Sequence, residues 1–119
     1  MARTIQTAQM FLRSIKDNSS TVIPMIAWPD LREAYDAHCN KGHGRAELED
    51  RYPQVDFSLC AEEWDYEVHS TEEATQRAER VRQKLKGLME THRNIALFSH
   101  IGFISHLVQR ARFRLCGKY

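Results

Sequence analysis

A chain of 119 residues, 42% of them hydrophobic and 28% charged, is long enough for one folded domain and unlike a disordered segment in composition. Its formal net charge of +1 gives no overall field that would attract nucleic acid or an anionic membrane. Three cysteines without paired spacing favour reduced thiols inside a cell, and no apolar stretch reaches the length of a membrane span. We therefore expect one cytoplasmic domain over residues 1–119, without nucleic acid or membrane partners.

The N-terminal part of the chain predicts a helix, a strand and a tight turn. Apolar residues at steps of three and four predict an amphipathic helix over residues 4–15. Residues 21–27 are rich in Val, Ile and Met and predict a strand, in which Pro24 indicates an edge position or a bulge. Trp28-Pro29-Asp30 then turns the chain towards Glu33, which we expect just beyond the carboxyl end of that strand.

The middle of the chain has weak periodicity until a well-marked helix begins. Residues 35–69 contain a short predicted helix at 45–51, and a connection of this length is usually either functional or mobile. Ser70 and Glu73 form a capping box that opens the clearest helix of the chain, and Glu73 and Arg77 are available as an i,i+4 ion pair. Its predicted apolar face consists of Ala74, Ala78, Val81, Leu85, Leu88 and Met89.

The apolar run at residues 95–98 is the most informative stretch, because Ser99-His100 and then Gly102 follow it directly. Four unbroken apolar residues predict a strand covered on both faces, and a helix is expected from Gly102 to Arg112. The alternation of helices and strands indicates the α/β class. In open α/β sheets ligands bind beyond the carboxyl ends of strands, and a helix N-terminus favours an anion. His100 is therefore a candidate for a phosphate or carboxylate site.

Arg3 and Glu33 are two further candidates for a functional role, and each of the three residues has a simpler alternative. Arg3 lies at the start of the first predicted helix, where it could share an anion with the helix end or be a solvated arginine near a frayed terminus. Glu33 could be a general acid or base, or an ordinary surface carboxylate. The alternative for His100 is a buried histidine that bonds to a backbone carbonyl.

Four groups of residues follow one another in a characteristic order. Arg3-Thr4-Ile5-Gln6-Thr7-Ala8 comes first, Leu31-Arg32-Glu33 follows and Ser99-His100 comes last. The middle group comprises Cys39-Asn40-Lys41-Gly42, residues 48–53, Asp56-Phe57-Ser58 and Trp64. Over residues 2–107 this order resembles fungal members of the histidine phosphatase superfamily, which is also called phosphoglycerate-mutase-like. The resemblance implies a three-layer α/β/α fold and phosphate monoester hydrolysis or phosphoryl transfer through a phosphohistidine.

The resemblance also implies a role for each candidate residue. Arg3 matches the phosphate-binding arginine, and Glu33 matches the acid that protonates the leaving group. His100 matches the second histidine, which binds the phosphoryl group and stabilises its charge rather than attacking it. No metal ion or other cofactor is implied, because positive side chains and a helix N-terminus neutralise the transferred phosphate. The implied ligand is phosphate or a phosphorylated small molecule.

The sequence departs from the family pattern in ways that bear on activity. It contains no Arg-His-Gly, the motif that carries the nucleophilic histidine at the end of the family's first strand. Ile101 stands where the family usually has glycine, so its β-branched side chain is expected to crowd the pocket. Residues 109–119 form a basic tail where a complete member has its last strand and loop.

We therefore expect a single partial domain that is truncated at the N-terminus, lacks the first strand of the fold and has weak or no activity. The loss of a central strand would expose an edge of the parallel sheet, and this edge could allow the chain to self-associate. One alternative is a non-catalytic binding or regulatory protein that uses the remnant anion pocket or the exposed sheet edge. The other is an incomplete gene sequence whose true protein begins further upstream.

Overall fold

The computed structural model describes residues 2–15, 22–35, 43–64 and 70–108. In chain order these contain α1 (Ala2–Ile15), β1 (Met25–Ile26), a 3₁₀ helix (Pro29–Leu31), α2 (Arg45–Arg51), β2 (Val55–Asp56), α3 (Thr71–Leu88) and α4 (Ile101–Leu107). The two strands pair in parallel, with Met25 opposite Val55 and Ile26 opposite Asp56. Helices around a small parallel sheet confirm the α/β class, in the incomplete form that the sequence predicts. None of the described helices is long and apolar enough to cross a membrane.

The first hydrophobic core lies between α1, α2 and the sheet. Its buried members are Ile5, Ala27, Leu48, Tyr52, Val55, Phe57, Cys60 and Trp64. α1 confirms the predicted amphipathic helix, but only Ile5 and Ala8 of its apolar face are buried. Phe11 and Ile15 remain 44% and 48% exposed. The reason is geometric, since the two short strands offer too little surface to cover the whole length of the helix.

The second core joins α3 to α4 and to the segment after the 3₁₀ helix. Its buried members are Ala34, Ala74, Ala78, Val81 and Phe103. The predicted cap of α3 is confirmed, because Ser70 Oγ accepts a hydrogen bond from the Glu73 N–H at 3.1 Å. The far end of the predicted apolar face is less covered than expected, and Met89 is 71% exposed.

The predicted ion pair between Glu73 and Arg77 is wrong. Glu73 Oε1 instead accepts a hydrogen bond from the guanidinium of Arg32 at 3.1 Å. Arg77 is fully buried and donates to backbone carbonyl oxygens of the segment after β1. Both side chains thus leave the helix surface for partners far away in sequence, because those partners are themselves buried and need a counter-charge or a donor.

The prediction of a strand at residues 95–98 is also wrong. These residues form no strand, and no backbone hydrogen bond within the described part of the chain engages their amide or carbonyl groups. The run is not covered on both faces either, since Ile95 is 37% exposed. A strand needs a neighbour to pair with, and beside this segment lies a cavity of about 150 Å³ that α1 and β1 also line.

Other predicted elements are shorter than expected or fall partly outside the description. The strand predicted over 21–27 is reduced to Met25–Ile26, and the short helix at 45–51 is confirmed as α2. The helix predicted from Gly102 begins one residue earlier, at Ile101. It ends at Leu107, before the predicted end at Arg112, which itself lies outside the described residues. The Cys39-Asn40-Lys41-Gly42 motif also lies outside the described residues.

Candidate functional site

Glu33 comes seven residues after the end of β1 and two residues after the 3₁₀ helix. The 3₁₀ helix begins at Pro29, whose fixed φ suits a first helical position, and it carries the chain away from the strand towards Glu33. The Glu33 carboxylate is held locally, since its Oε1 accepts a hydrogen bond from the Ala34 N–H at 2.7 Å. The other carboxylate oxygen, Oε2, is directed towards the ring of His100.

His100 occupies the N-cap position of α4, with extended backbone angles of φ −99° and ψ 149°. The hydroxyl of Ser99 donates to the carbonyl oxygen of Leu31 at 2.7 Å and so ties the His100 segment to the 3₁₀ helix. Nδ1 of His100 lies 4.0 Å from Oε2 of Glu33, and each of the two side chains is 13% exposed. When His100 is protonated, this contact is an ion pair that is largely shielded from water.

The glycine of the site is Gly102, one residue later than the family pattern suggests. A Cβ at Gly102 would collide with Oε1 of Glu33 and would lie 2.9 Å from two ring carbons of Tyr35. The absence of a side chain here therefore allows α4 to approach the carboxylate. The expectation that Ile101 crowds the pocket is wrong, because its side chain is 61% exposed and does not line the cavity.

Arg77 supports the Glu33 segment and was not identified from the sequence as part of the site. One terminal nitrogen, Nη1, donates to the carbonyls of Asp30 and Arg32 at 3.0 and 2.9 Å, and Nη2 donates to the carbonyl of Glu33 at 3.0 Å. Burial lowers the pKa of Arg77 to about 10, so the guanidinium stays charged at neutral pH. The available signal was its spacing, since it falls on the alanine stripe that α3 buries.

The cavity beside His100 is lined mainly by apolar side chains from α1, β1 and residues 96–98. Three polar residues join that lining, namely Thr4, Arg32 and His100. Arg32 also went unrecognised as a site residue, and its guanidinium is 7% exposed and paired with Glu73. Arg3 is the second residue of α1 and its side chain is exposed. It does not itself line the cavity, whereas its neighbour Thr4 does.

The structure thus brings together Glu33 and His100, two of the three predicted site residues. Of the three, only His100 lines the cavity, and Arg3 adjoins the lining residue Thr4 in sequence. The Cys60 thiol, in the first core, offers no alternative chemistry. Burial raises the pKa of Cys60 to about 11, so this group is protonated at neutral pH and is a poor nucleophile. Within the described residues, no group of three or more His, Cys, Asp or Glu side chains is arranged to hold a metal ion.

The comparison with protein families gives one match, to the model described as histidine phosphatase superfamily (branch 1). The matched range, residues 1–114, covers almost the whole chain and includes every element described above. Searches of curated proteins and of solved structures gave no significant match. The family match therefore carries the assignment.

Proposed function

Since the chain belongs to the histidine phosphatase superfamily, we propose that its cavity binds the phosphoryl group of a phosphate monoester beside His100. The observation that supports this most is the close approach of His100 and Glu33, 4.0 Å apart and each 13% exposed. A protonated imidazole in such a place neutralises phosphate oxygens, and a neighbouring carboxyl group can protonate the oxygen that leaves. The pair thus divides the two tasks that phosphoryl transfer requires.

Two further features refine the proposed ligand. Arg3, beside Thr4 at the cavity wall, would supply a second positive charge from the first turn of α1, which contains no acidic residue. The remaining lining is apolar, and it favours a leaving group with aromatic or hydrocarbon surface over a polyhydroxylated one. An aryl phosphate is therefore the best first probe.

We expect the chain itself to hydrolyse such an ester weakly or not at all. The sequence has no Arg-His-Gly motif to supply a nucleophilic histidine, and the Cys60 thiol is protonated. The reaction that remains is direct hydrolysis. Water attacks phosphorus, the bond to the leaving oxygen breaks, and Glu33 gives its proton to that oxygen. The two protons of the water stay on the orthophosphate that forms, and one of them then returns to the Glu33 carboxylate. Without an activated nucleophile this route is slow.

The test is hydrolysis of p-nitrophenyl phosphate by the purified full chain. Any rate above buffer should disappear in His100→Ala and in Glu33→Gln, and should persist in the matched exposed controls His92→Ala and Glu90→Gln. A rate that is unchanged in His100→Ala would reject catalysis at this site. Turnover in the range of ordinary enzymes, about 1–10³ per second, would contradict the expectation of weak activity.

A second candidate function is non-catalytic self-association through the open side of the sheet. The Ala27 N–H donates to the Asp56 carbonyl at 2.8 Å. Because successive residues of a strand direct their backbone groups to opposite sides, the N–H and C=O of Ile26 point away from β2. Residues 95–98 also present backbone groups without a backbone partner in the described part of the chain. We propose that a second copy of this chain pairs with these edges, as exposed strands tend to do.

Sedimentation equilibrium of the full chain tests this second function. A dimer is expected, and Ala96→Lys should shift it towards monomer because a charge on an edge opposes pairing. The exposed α3 variant Gln76→Lys adds the same charge elsewhere and should leave the dimer intact. A wild-type chain that stays monomeric at high concentration would reject self-association.

A further inference from the structure

Arg77 is the most deeply buried charged side chain among the described residues, with no exposed surface. Burial of a guanidinium is unfavourable unless its N–H groups find acceptors. Here the two terminal nitrogens donate to three carbonyl oxygens, of Asp30, Arg32 and Glu33, all within 3.0 Å, while Nε has no acceptor among the described residues. They belong to the end of the 3₁₀ helix and the residues after it, where carbonyl groups have no intrahelical partner. The planar fork of one arginine therefore fixes the backbone that carries the Glu33 side chain.

The same guanidinium also contacts the other half of the site. Its Cζ lies 4.8 Å from the ring centroid of Phe103, which is fully buried on α4. Phe103 follows Gly102, the residue whose missing Cβ leaves room for the Glu33 carboxylate. Arg77 thus lies between the Glu33 segment and the first turn of α4, and it contacts both elements on which the His100–Glu33 pair depends.

We propose that Arg77 is a positioning residue, which sets the placement of the Glu33 carboxylate relative to His100. Arg77 does not touch the cavity and acts through the backbone of Glu33 and through Phe103. The effect of Arg77 on phosphate binding rests on the proposed function. Its effect on the placement of the Glu33 carboxylate can be tested independently of that function. A carboxylate displaced by even about 1 Å loses much of its catalytic or binding value.

Two variants at Arg77 and two controls separate positioning from simple stability. Arg77→Met keeps a long unbranched side chain but removes its hydrogen-bond donors. Arg77→Lys keeps the positive charge but lacks the planar, forked guanidinium. Arg82→Met is the matched control, because Arg82 donates to the carbonyls of His106 and Leu107, each at 3.1 Å, and these belong to the end of α4 rather than to the Glu33 segment. Val81→Ala is a second control that loosens the second core at a fully buried position without removing these hydrogen bonds.

The amide of Ala34 reports directly on the Glu33 carboxylate, since its N–H donates to Oε1 at 2.7 Å. In Arg77→Met we expect the Ala34 amide proton resonance to move to the position it has in Glu33→Ala. Its hydrogen exchange should accelerate about tenfold more than that of core amides in α3, because the local hydrogen bond is lost. Arg77→Lys should be intermediate, and both controls should keep the wild-type resonance.

Orthophosphate binding supplies the second readout. Its dissociation constant should rise about tenfold or more in Arg77→Met and change less than about twofold in Arg82→Met. A wild-type chain that does not bind orthophosphate would reject the proposed function, and the Ala34 resonance would still decide the role of Arg77. An Ala34 resonance unchanged in both Arg77 variants overturns the proposal. So does a Val81→Ala variant that moves it equally, because the effect would then be general loosening of the core.

Discussion

Replacement of Gly102 by alanine is expected to disturb the site while changing only one methyl group. The new Cβ would overlap Oε1 of Glu33 and would lie 2.9 Å from two ring carbons of Tyr35, so one or both side chains must move. Glu33 cannot retreat freely, because its carboxylate is bound to the Ala34 N–H and is 13% exposed. Overpacking of this kind typically costs about 1–3 kcal/mol.

A gain in helix propensity opposes that cost, so the effect must be measured against a second glycine. Alanine is favoured over glycine inside a helix by about 0.5–1 kcal/mol. At Gly87, on α3, a Cβ would meet nothing within 4 Å, and this gain should appear as added stability. The free energies of unfolding of Gly102→Ala and Gly87→Ala should therefore differ by about 1–3 kcal/mol.

Urea unfolding of the two full-length variants, followed by circular dichroism, gives this difference, and the Ala34 amide resonance shows whether the Glu33 carboxylate has moved. We expect Gly102→Ala to be no more stable than the wild type and to lose the Ala34 hydrogen bond. A Gly102→Ala variant as stabilised as Gly87→Ala, with the Ala34 resonance unchanged, would refute the argument that close approach at Gly102 shapes the site.

Three further predictions follow from individual contacts. In urea titrations, Ser70→Ala should lower the free energy of unfolding by about 1 kcal/mol, because the Glu73 N–H loses its acceptor. Ser70→Asp should keep the wild-type free energy of unfolding, because aspartate also offers an acceptor for that N–H. In a Cys39→Ser/Cys116→Ser variant, Cys60 should react with a thiol reagent at pH 8 only after unfolding, since it is buried with a pKa near 11. The Cys60 thiol has a higher pKa in the folded chain than in the unfolded chain, so burial of the protonated thiol contributes to stability below about pH 9. This contribution is lost as the pH rises towards 11. Urea titrations should therefore show a steeper fall over this range in the wild type than in Cys60→Ala.

The features that the sequence predicted well depend on local patterns. The Ser70–Glu73 cap joins groups three residues apart, so the order of residue types is sufficient to predict it. The turn at Pro29 is likewise local, because proline is suited to the first position of the 3₁₀ helix that follows β1. The proximity of Glu33 and His100 required the family resemblance, since no local pattern relates residues so far apart.

The features that the sequence did not predict depend on partners distant along the chain. An arginine four residues after a glutamate suits a surface pair, and nothing local shows that three carbonyls compete for Arg77. Residues 95–98 have the composition of a buried strand, but a strand also requires a hydrogen-bonded neighbour. A run of apolar residues predicts a tendency to form a strand, but it does not identify the strand with which it would pair.

The most direct test of the phosphate site is a titration of the ¹⁵N-labelled full chain with orthophosphate, observed through its backbone amides. We expect saturable shifts at Thr4, Ala34 and the amides from Ser99 to Gly102, because these residues line the cavity or adjoin the His100–Glu33 pair. The shifts should disappear in His100→Ala and persist in the exposed control His92→Ala. Shifts that are absent in the wild type, or equal in His100→Ala, would contradict the account.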